Sequence, residues 1–248
     1  MAAKSRLAPL LPSGEVHVWR TRLEPQAGLL AAMTNSLSRD ELERAAAFRT
    51  IVDRDRFVLR RGFLRAVLAR YLAIGPSDVR FSYGRYLKPF VDPAYHKSAL
   101  SFNVTHRRDI ALAVVTATIA VGIDIEIVEP LSDLESLAAR FLSEREQKFV
   151  DAVADAERTK AFLTAWTRKE AYLKALGDGL VREPKLIDVR LDRSPTTELR
   201  EFDHRSGREE LWRVETVVPV RGYVGAVVGR GTGWRIRWMD WPAGPAPC

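Results

Sequence analysis

The sequence predicts a two-part α+β chain, and three observations support that fold class. Segments with period-two alternation and segments with apolar helical stripes follow one another in the order strand, helices, strands, helices, strands. The length of 248 residues is large for one small domain and small for two independent ones. Hydrophobic residues make up 46% of the chain, enough for a substantial core in a globular protein. The order of elements divides the chain into two α+β halves meeting near 116–120, with an N-terminal subdomain over 1–118 and a C-terminal subdomain over 119–248.

The first strand is expected over 15–22, where Val16 and Val18 alternate with polar neighbours. Ser38-Arg-Asp-Glu41 is a capping box that opens a helix running through Phe48. A longer helix over about 53–73 turns Phe57, Leu64, Val67, Leu68, Tyr71 and Leu72 inward and stops at Gly75-Pro76. Strands follow over 79–83, 100–104, 110–115 and 119–127. After Pro130 the pattern is helical: 132–141, a helix capped by Ser143-Glu-Arg-Glu146, and a third over 157–176. Strands return over 186–191, 211–218, 223–228 and 234–239, and the Pro- and Gly-rich tail after Trp241 is expected to fray. No repeat is visible in the residues themselves.

The net charge of +7 points to an anionic partner, which charge alone leaves open as nucleic acid, a membrane surface, or a polyanionic small molecule with an acidic protein. The single cysteine, Cys248, can form no intrachain disulfide, which fits a reducing, cytoplasmic setting. The first fourteen residues lack the apolar core of a signal peptide, and the weakly polar run over 110–123 is too short to span a bilayer. Arg44, Arg49, Arg54, Arg56, Arg60, Arg61, Arg65 and Arg70 crowd one stretch. Aromatic residues are not interleaved with them as a base-stacking platform requires, and no helix-turn-helix or zinc-finger spacing is present. Most of these arginines are therefore expected on a solvated helix face.

Chemistry concentrates in two short segments. In Val121-Gly-Ile-Asp-Ile-Glu-Ile127 the alternation puts Ile123, Ile125 and Ile127 on one face of a strand and Asp124 and Glu126 on the other. Adjacent carboxylates repel unless a proton or cation lies between them, and hard oxygens of this kind suit Mg²⁺ held partly by substrate phosphates. The plain alternative is a half-buried strand with a solvated acidic face. On the helix over 157–176, Phe162, Ala165, Trp166, Tyr172, Leu173 and Leu176 form a stripe interrupted by Lys169, and Glu170 and Lys174 lie beside it one turn apart. An i,i+4 pair of this kind is ordinarily a surface ion pair worth about 0.3–0.5 kcal/mol. Here it precedes Gly177-Asp-Gly179-Leu180, glycines that end the helix and permit close backbone approach.

Together these segments resemble the signatures of the Sfp-type 4′-phosphopantetheinyl transferases, Gly-Ile-Asp-x-Glu and Trp-x-x-Lys-Glu-Ala-x-x-Lys-x-x-Gly-x-Gly-Leu. The matching residues are Gly122, Ile123, Asp124 and Glu126, then Trp166, Lys169, Glu170, Ala171, Lys174, Gly177, Gly179 and Leu180. Lys88-Pro89 resembles the family's Lys-Pro element, and Ser101-Phe-Asn-Val-Thr-His106 its Phe-Asn-x-Ser-His element with threonine for serine. The resemblance implies two similar α/β subdomains related by pseudo-twofold symmetry, with coenzyme A bound in the cleft between them. It implies transfer of the 4′-phosphopantetheine arm of coenzyme A to a serine of apo acyl or peptidyl carrier proteins of fatty-acid, polyketide or peptide synthesis, releasing 3′,5′-ADP.

The implied metal ligands are Asp124, Glu126 and Glu170, for Mg²⁺ or alternatively Mn²⁺. Glu170 and Lys174 are the implied catalytic residues, Glu170 as general base and Lys174 as a cation on the phosphates. Arg44, Arg56 and Arg61 are aligned with coenzyme A phosphate contacts, while Lys88, Thr105 and His106 would grip the nucleotide end. Nothing in the sequence demands more than a monomer, and neither nucleic acid nor a membrane is an expected partner. Another Mg²⁺-dependent phosphotransferase or nuclease, or a noncatalytic basic module for RNA or protein, are the competing readings.

Overall fold

Val16 and Val18 of β1 (Glu15–Arg22) are wholly buried, as their alternation requires. The computed structural model describes residues 11–84, 88–96, 100–177, 183–192, 194–203 and 208–241. Gly179, Leu180, the first ten residues and the tail carrying Cys248 lie outside these. Three helices follow β1: α1 (Ala27–Ser36), α2 (Arg39–Ala46) and the 22-residue α3 (Ile51–Leu72). A hairpin of β2 (Phe81–Tyr83) and β3 (Pro89–Val91) leads to β4 (Ser101–Arg107) and β5 (Ile110–Thr116). The inward face of α3, including Phe57, Phe63, Leu64, Val67 and Leu68, shares a core with Trp19 of β1 and Ala111, Ala113 and Val115 of β5.

The second half repeats this order. After β6 (Val121–Ile127) come two short helices, α4 (Leu134–Phe141) and α5 (Glu144–Ala152), and a 22-residue helix, α6 (Asp155–Leu176). Then follow β7 (Thr196–Asp203), β8 (Arg208–Val217) and β9 (Tyr223–Arg230). In the first sheet β1 pairs antiparallel with β5, and β5 with β4; in the second, β6 pairs antiparallel with β9, and β9 with β8. A third apolar cluster unites the sheets, with Val16, Val18, Ile110 and Leu112 meeting Ile123, Ile125 and Val227. The last strand, β10 (Arg235–Asp240), pairs parallel with β1. It thus joins the first sheet, although a boundary at 118/119 assigns it to the second half.

The repetition extends to individual side chains. Ser38 and Ser143 each open their helix in a capping box, whose glutamates, Glu41 and Glu146, are 1% exposed. Glu41 Oε2 lies 2.6 Å from Arg65 Nε, and Glu146 Oε2 lies 2.5 Å from Lys169 Nζ. Arg65 and Lys169 are each the fifteenth residue of a 22-residue helix. Each then donates to the carbonyl of a following proline, Pro76 at 3.1 Å and Pro184 at 2.9 Å. A buried ion pair is tolerable when such extra hydrogen bonds satisfy the charges, and here one carboxylate both caps a short helix and anchors the long helix beside it. Lys169, which interrupts the apolar stripe of α6 in the sequence, is therefore a strut.

Three expectations change. The segment 186–191 is not a strand: a single turn, Pro184–Leu186, precedes irregular chain. Its backbone is satisfied by side chains, since Val189 N donates to Glu146 at 2.8 Å while Lys169 and Arg168 donate to the carbonyls of Pro184 and Arg190. The arginines between Arg44 and Arg70 do not share one solvated face. Arg44, Arg49, Arg54 and Arg56 are exposed, whereas Arg65 is 2% exposed and Arg60, Arg61 and Arg70 are half-buried. Helix α1 and strands β3 and β7 are further elements beyond those the sequence pattern predicts.

Candidate active site

Strand β6 splits its side chains between two environments. Ile123 and Ile125 enter the seam between the sheets, while Gly122 and Asp124 face α6. The φ of Gly122 is not positive, so its role is spatial. A Cβ there would collide with the Ala171 carbonyl and lie 2.5 Å from the Ala175 amide nitrogen. Glycine thus lets the backbone of α6 lie directly on β6, which sets Glu170 and Lys174 beside Asp124.

Lys174 Nζ is 2.5 Å from Asp124 Oδ1 and 3.4 Å from the Ile123 carbonyl oxygen. Thr105 Oγ1 donates to the same Asp124 oxygen at 3.1 Å. Glu126 Oε2 pairs with Arg107 Nε at 2.8 Å. Burial pushes Glu170 above the usual carboxylate range, Asp124 and Glu126 push the same way, and Lys174 opposes them. Burial also pushes Glu126 up, and Asp124 adds to this against Arg107 and Lys174. The three carboxylates are therefore close enough to repel one another. Among the described residues, no three His, Cys, Asp or Glu side chains are gathered tightly enough to hold a metal unaided. Hard oxygens short of positive charge and of a closed chelate fit an ion such as Mg²⁺ that keeps waters and substrate phosphate oxygens in its shell.

A cationic group adjoins the acids. Arg60 Nη1 lies 3.1 Å from His106 Nδ1, and the guanidinium carbons of Arg44 and Arg60 stand 5.7 and 5.6 Å above the Phe57 ring. Burial, then the charges of Arg60, Lys174, Arg107 and Arg56, push His106 down to about 4, so its imidazole is neutral at pH 7. Burial and the neighbouring Arg61 and Arg44 likewise push Arg60 down. Arg61 pairs with Glu41, donates to the Tyr83 hydroxyl at 2.7 Å and lies 4.1 Å above Phe81. Lys88 Nζ donates to the carbonyls of Lys174 at 2.5 Å and Ala175 at 3.3 Å, where the C-terminus of α6 carries its partial negative charge.

The structure thus brings Asp124, Glu126, Glu170, Lys174 and Thr105 into one acidic cluster and sets His106, Arg44 and Arg56 on its cationic flank. Arg61 and Lys88 already hold protein partners. The motifs assign no role to Asn103 and do not include Arg60 or Arg107. Arg60 lies one turn after Arg56 on the same helix face, while Asn103 and Arg107 flank Thr105 at period two, so helical and strand periodicity carried the signal.

Crowded carboxylates against a cluster of cations are suited to a polyanion bridged by a divalent ion. A family model of the 4′-phosphopantetheinyl transferase superfamily matches residues 120–228, which include both β6 and α6. The chain is 38% identical over 225 residues to the 4′-phosphopantetheinyl transferase HetI of a Nostoc species, covering 91% of this chain and 92% of that protein. It is also 32% identical over 157 residues to the 4′-phosphopantetheinyl transferase Sfp of Bacillus subtilis, 62% of this chain and 66% of that protein. A putative 4′-phosphopantetheinyl transferase of Synechocystis is 34% identical over 144 residues, 58% of each chain. The chain belongs to the 4′-phosphopantetheinyl transferase superfamily, and it is a transferase enzyme.

Proposed function

We propose that this enzyme transfers the 4′-phosphopantetheine arm of coenzyme A to a serine of apo acyl or peptidyl carrier proteins. The observation that carries the reading is the close contact of α6 with β6 at Gly122, which sets Glu170 and Lys174 against Asp124 beside the Arg44 and Arg60 cations and the His106 imidazole. In the reaction the serine oxygen bonds to the β-phosphorus, the bond to 3′,5′-ADP breaks, and the hydroxyl proton needs an acceptor. Such transfers depend mainly on positioning and charge neutralisation.

Asp124, Glu126 and Glu170 would hold Mg²⁺, or alternatively Mn²⁺. The ion would supply neutralisation of the pyrophosphate charge. Glu170 is the proposed proton acceptor, directly or through a metal-bound water. Lys174 supplies a cation to the phosphates while holding Asp124. Arg44 and Arg56, with Arg60 added to the set, offer charge to the 3′,5′-ADP end; Arg61, Lys88, Thr105 and His106 line the same side.

We read the halves as two subdomains with β10 crossing back, and the enzyme as a cytoplasmic monomer, since β4, β6 and α6 of one chain build the site. No described helix is long and apolar enough to cross a membrane. Nucleic acid is not the expected anion, because Arg65 and Arg61 are committed to Glu41.

Mass spectrometry of an apo carrier protein incubated with the enzyme, coenzyme A and Mg²⁺ tests the reading. A mass gain of one phosphopantetheine per carrier, lost with EDTA, is expected. An unmodified carrier under conditions where the enzyme is folded refutes it.

A further inference from the structure

The repeat between the two halves breaks down at one place on the surface. Of the ten large apolar side chains that stand exposed among the described residues, four lie between 42 and 52: Leu42, Phe48, Ile51 and Val52. Single exposed apolar residues are ordinary, but a cluster of them marks a surface that something covers. Matching the capping serines and the starts of the long helices sets Leu42 against Gln147, Ala46 against Asp151, Ile51 against Asp155 and Val52 against Ala156. The second half builds the same helices with polar or small residues at these positions, so packing does not require the apolar ones.

One ion pair accounts for the difference in shape. In the second half Arg158 of α6 reaches back to Asp151 of α5 at 2.8 Å. Its counterpart Arg54 finds Ala46 in place of that acid and pairs with the adjacent Asp55 at 2.8 Å. A groove of about 590 Å³ is left open between α1, α2 and the start of α3, lined by Leu30, Leu42, Phe48 and Ile51 with the buried Ala45 and Val58. At about 3.6 residues per turn, Ile51, Asp55 and Val58 share one face of α3 and Arg56 and Arg60 the opposite one. The groove is therefore separate from the cationic flank of the acidic cluster.

We propose that this groove docks an acidic amphipathic helix of a partner protein, apart from the site of phosphopantetheine transfer. The groove is bordered by helices and offers no strand edge, so its occupant must satisfy its own backbone hydrogen bonds, as a helix does. The apolar lining calls for an apolar stripe on that helix. The rim sets the charge beside the stripe. Glu43 and Asp55 are paired with Arg39 and Arg54, and Asp53 accepts from the Thr50 hydroxyl, whereas the exposed Arg49 has no ion pair among the described residues. A carboxylate flanking the stripe answers Arg49, and the net charge of +7 draws an acidic partner to the chain.

The probe is a fluorescein-labelled synthetic helix with leucines at i, i+3, i+4 and i+7 and glutamates on both flanks, titrated with the full-length protein and read by anisotropy. A peptide of the same composition without the stripe is the control. Two variants copy the second half into the first: Ala46→Asp gives Arg54 the partner that Arg158 has, and Ile51→Asp places an acid at the first position of α3, where a helix N-terminus favours one. The wild type is expected to bind the striped peptide saturably, and each variant to weaken that binding by about tenfold or more, with melts and transfer to a carrier unchanged. If the control peptide binds as well as the striped one, or both variants bind like the wild type, charge attraction alone is at work and the groove is not the site. Absence of binding to the striped peptide refutes the proposal outright. Loss of transfer with an intact melt would place the patch in the catalytic site and overturn the separation. Sedimentation with phosphatidylglycerol vesicles, abolished by Ile51→Asp in a protein that ignores the peptide, would assign the patch to a lipid surface instead. A dimer in light scattering that Ala46→Asp dissolves would assign it to a second copy of the chain. Should one variant fail to fold, the other decides, and Arg49→Glu on the exposed rim decides if neither folds.

Discussion

Gly122→Ala is the change whose sign best distinguishes a packing role from a strand preference. A glycine inside a β-strand normally weakens it, and alanine in its place reclaims about 0.5–1 kcal/mol of backbone entropy where space allows. At Gly122 there is no space: the new methyl would overlap the carbonyl of Ala171 and come to 2.5 Å from the nitrogen of Ala175. Both obstacles are backbone, so no rotamer change relieves them, and α6 must lift from β6. Overpacking of this kind costs about 1–3 kcal/mol, which in a chain of this size lowers Tm by roughly 2–12 °C. Lifting the helix also withdraws Glu170 and Lys174 from Asp124, and a misplacement near 1 Å costs on the order of a hundredfold in rate.

Thermal melts and steady-state transfer to a carrier, measured on the same preparation, give both numbers. Ala171→Gly in the same background should restore neither, because it removes a side chain that is not the obstacle. A Gly122→Ala protein with unchanged or higher Tm and near wild-type turnover would show that α6 is not seated on this residue, and with it the origin of the Asp124–Lys174 contact would fall.

Three further outcomes follow from the buried charges. Lys169→Met should cost about 3–5 kcal/mol in guanidinium unfolding, because Glu146 is left buried without its cation, and Glu146→Leu added to it should recover only part, since Glu146 also accepts from Ser143 and Val189. Glu170→Gln should abolish most transfer yet raise Tm at pH 8 in EDTA: a carboxyl pushed up in the folded protein penalises folding when ionised, so the gain should shrink as pH falls through its folded value, and a lower Tm at pH 8 would contradict the crowding of the three acids. His106 is held down to about 4, so the unfolded chain binds its proton first and wild-type stability should fall as pH drops from 6.5 toward 4; His106→Gln should flatten that part of the Tm profile, and an identical slope in both proteins would place the histidine outside the cationic cluster.

The legible parts of this fold were those with a local cause. Capping boxes at Ser38 and Ser143 marked the starts of α2 and α5 to within a residue, and alternation placed β1 at its observed limits. Helix α1 carried no such mark, since Gln26 makes no side-chain cap and the segment lacks acidic residues in its first turn. The segment 186–191 has strand-like alternation, but its backbone bonds to the side chains of Glu146 and Arg168, residues far away in sequence. β10 reads as a strand from its own residues, whereas its pairing with β1 depends on the whole topology. The gathering of Asp124, Glu126, Glu170 and Lys174 was legible from motif and period; the places of Arg60 and Arg107 were not, because each takes its meaning from a neighbour on another element.

The repeated helix register also explains why the acidic cluster occurs in only one half. Arg70 and Lys174 are each the twentieth residue of their long helices, and each reaches the strand that opens its half. In the first half the Arg70 guanidinium lies 5.0 Å over the Trp19 ring, and the Trp19 indole donates to the Tyr71 hydroxyl at 2.7 Å. In the second half the Lys174 ammonium meets Asp124, and Ala175 stands where Tyr71 does, one residue after the cation. The same cation position lies over aromatic rings in one half and meets a carboxylate in the other. An aromatic face offers no oxygen, whereas a carboxylate has a second oxygen besides the one that Lys174 meets. The struts Glu41–Arg65 and Glu146–Lys169 are kept in both halves because both long helices must be anchored, whereas the carboxylate that the twentieth residue meets in the second half adds a charge that the aromatic rings of the first do not.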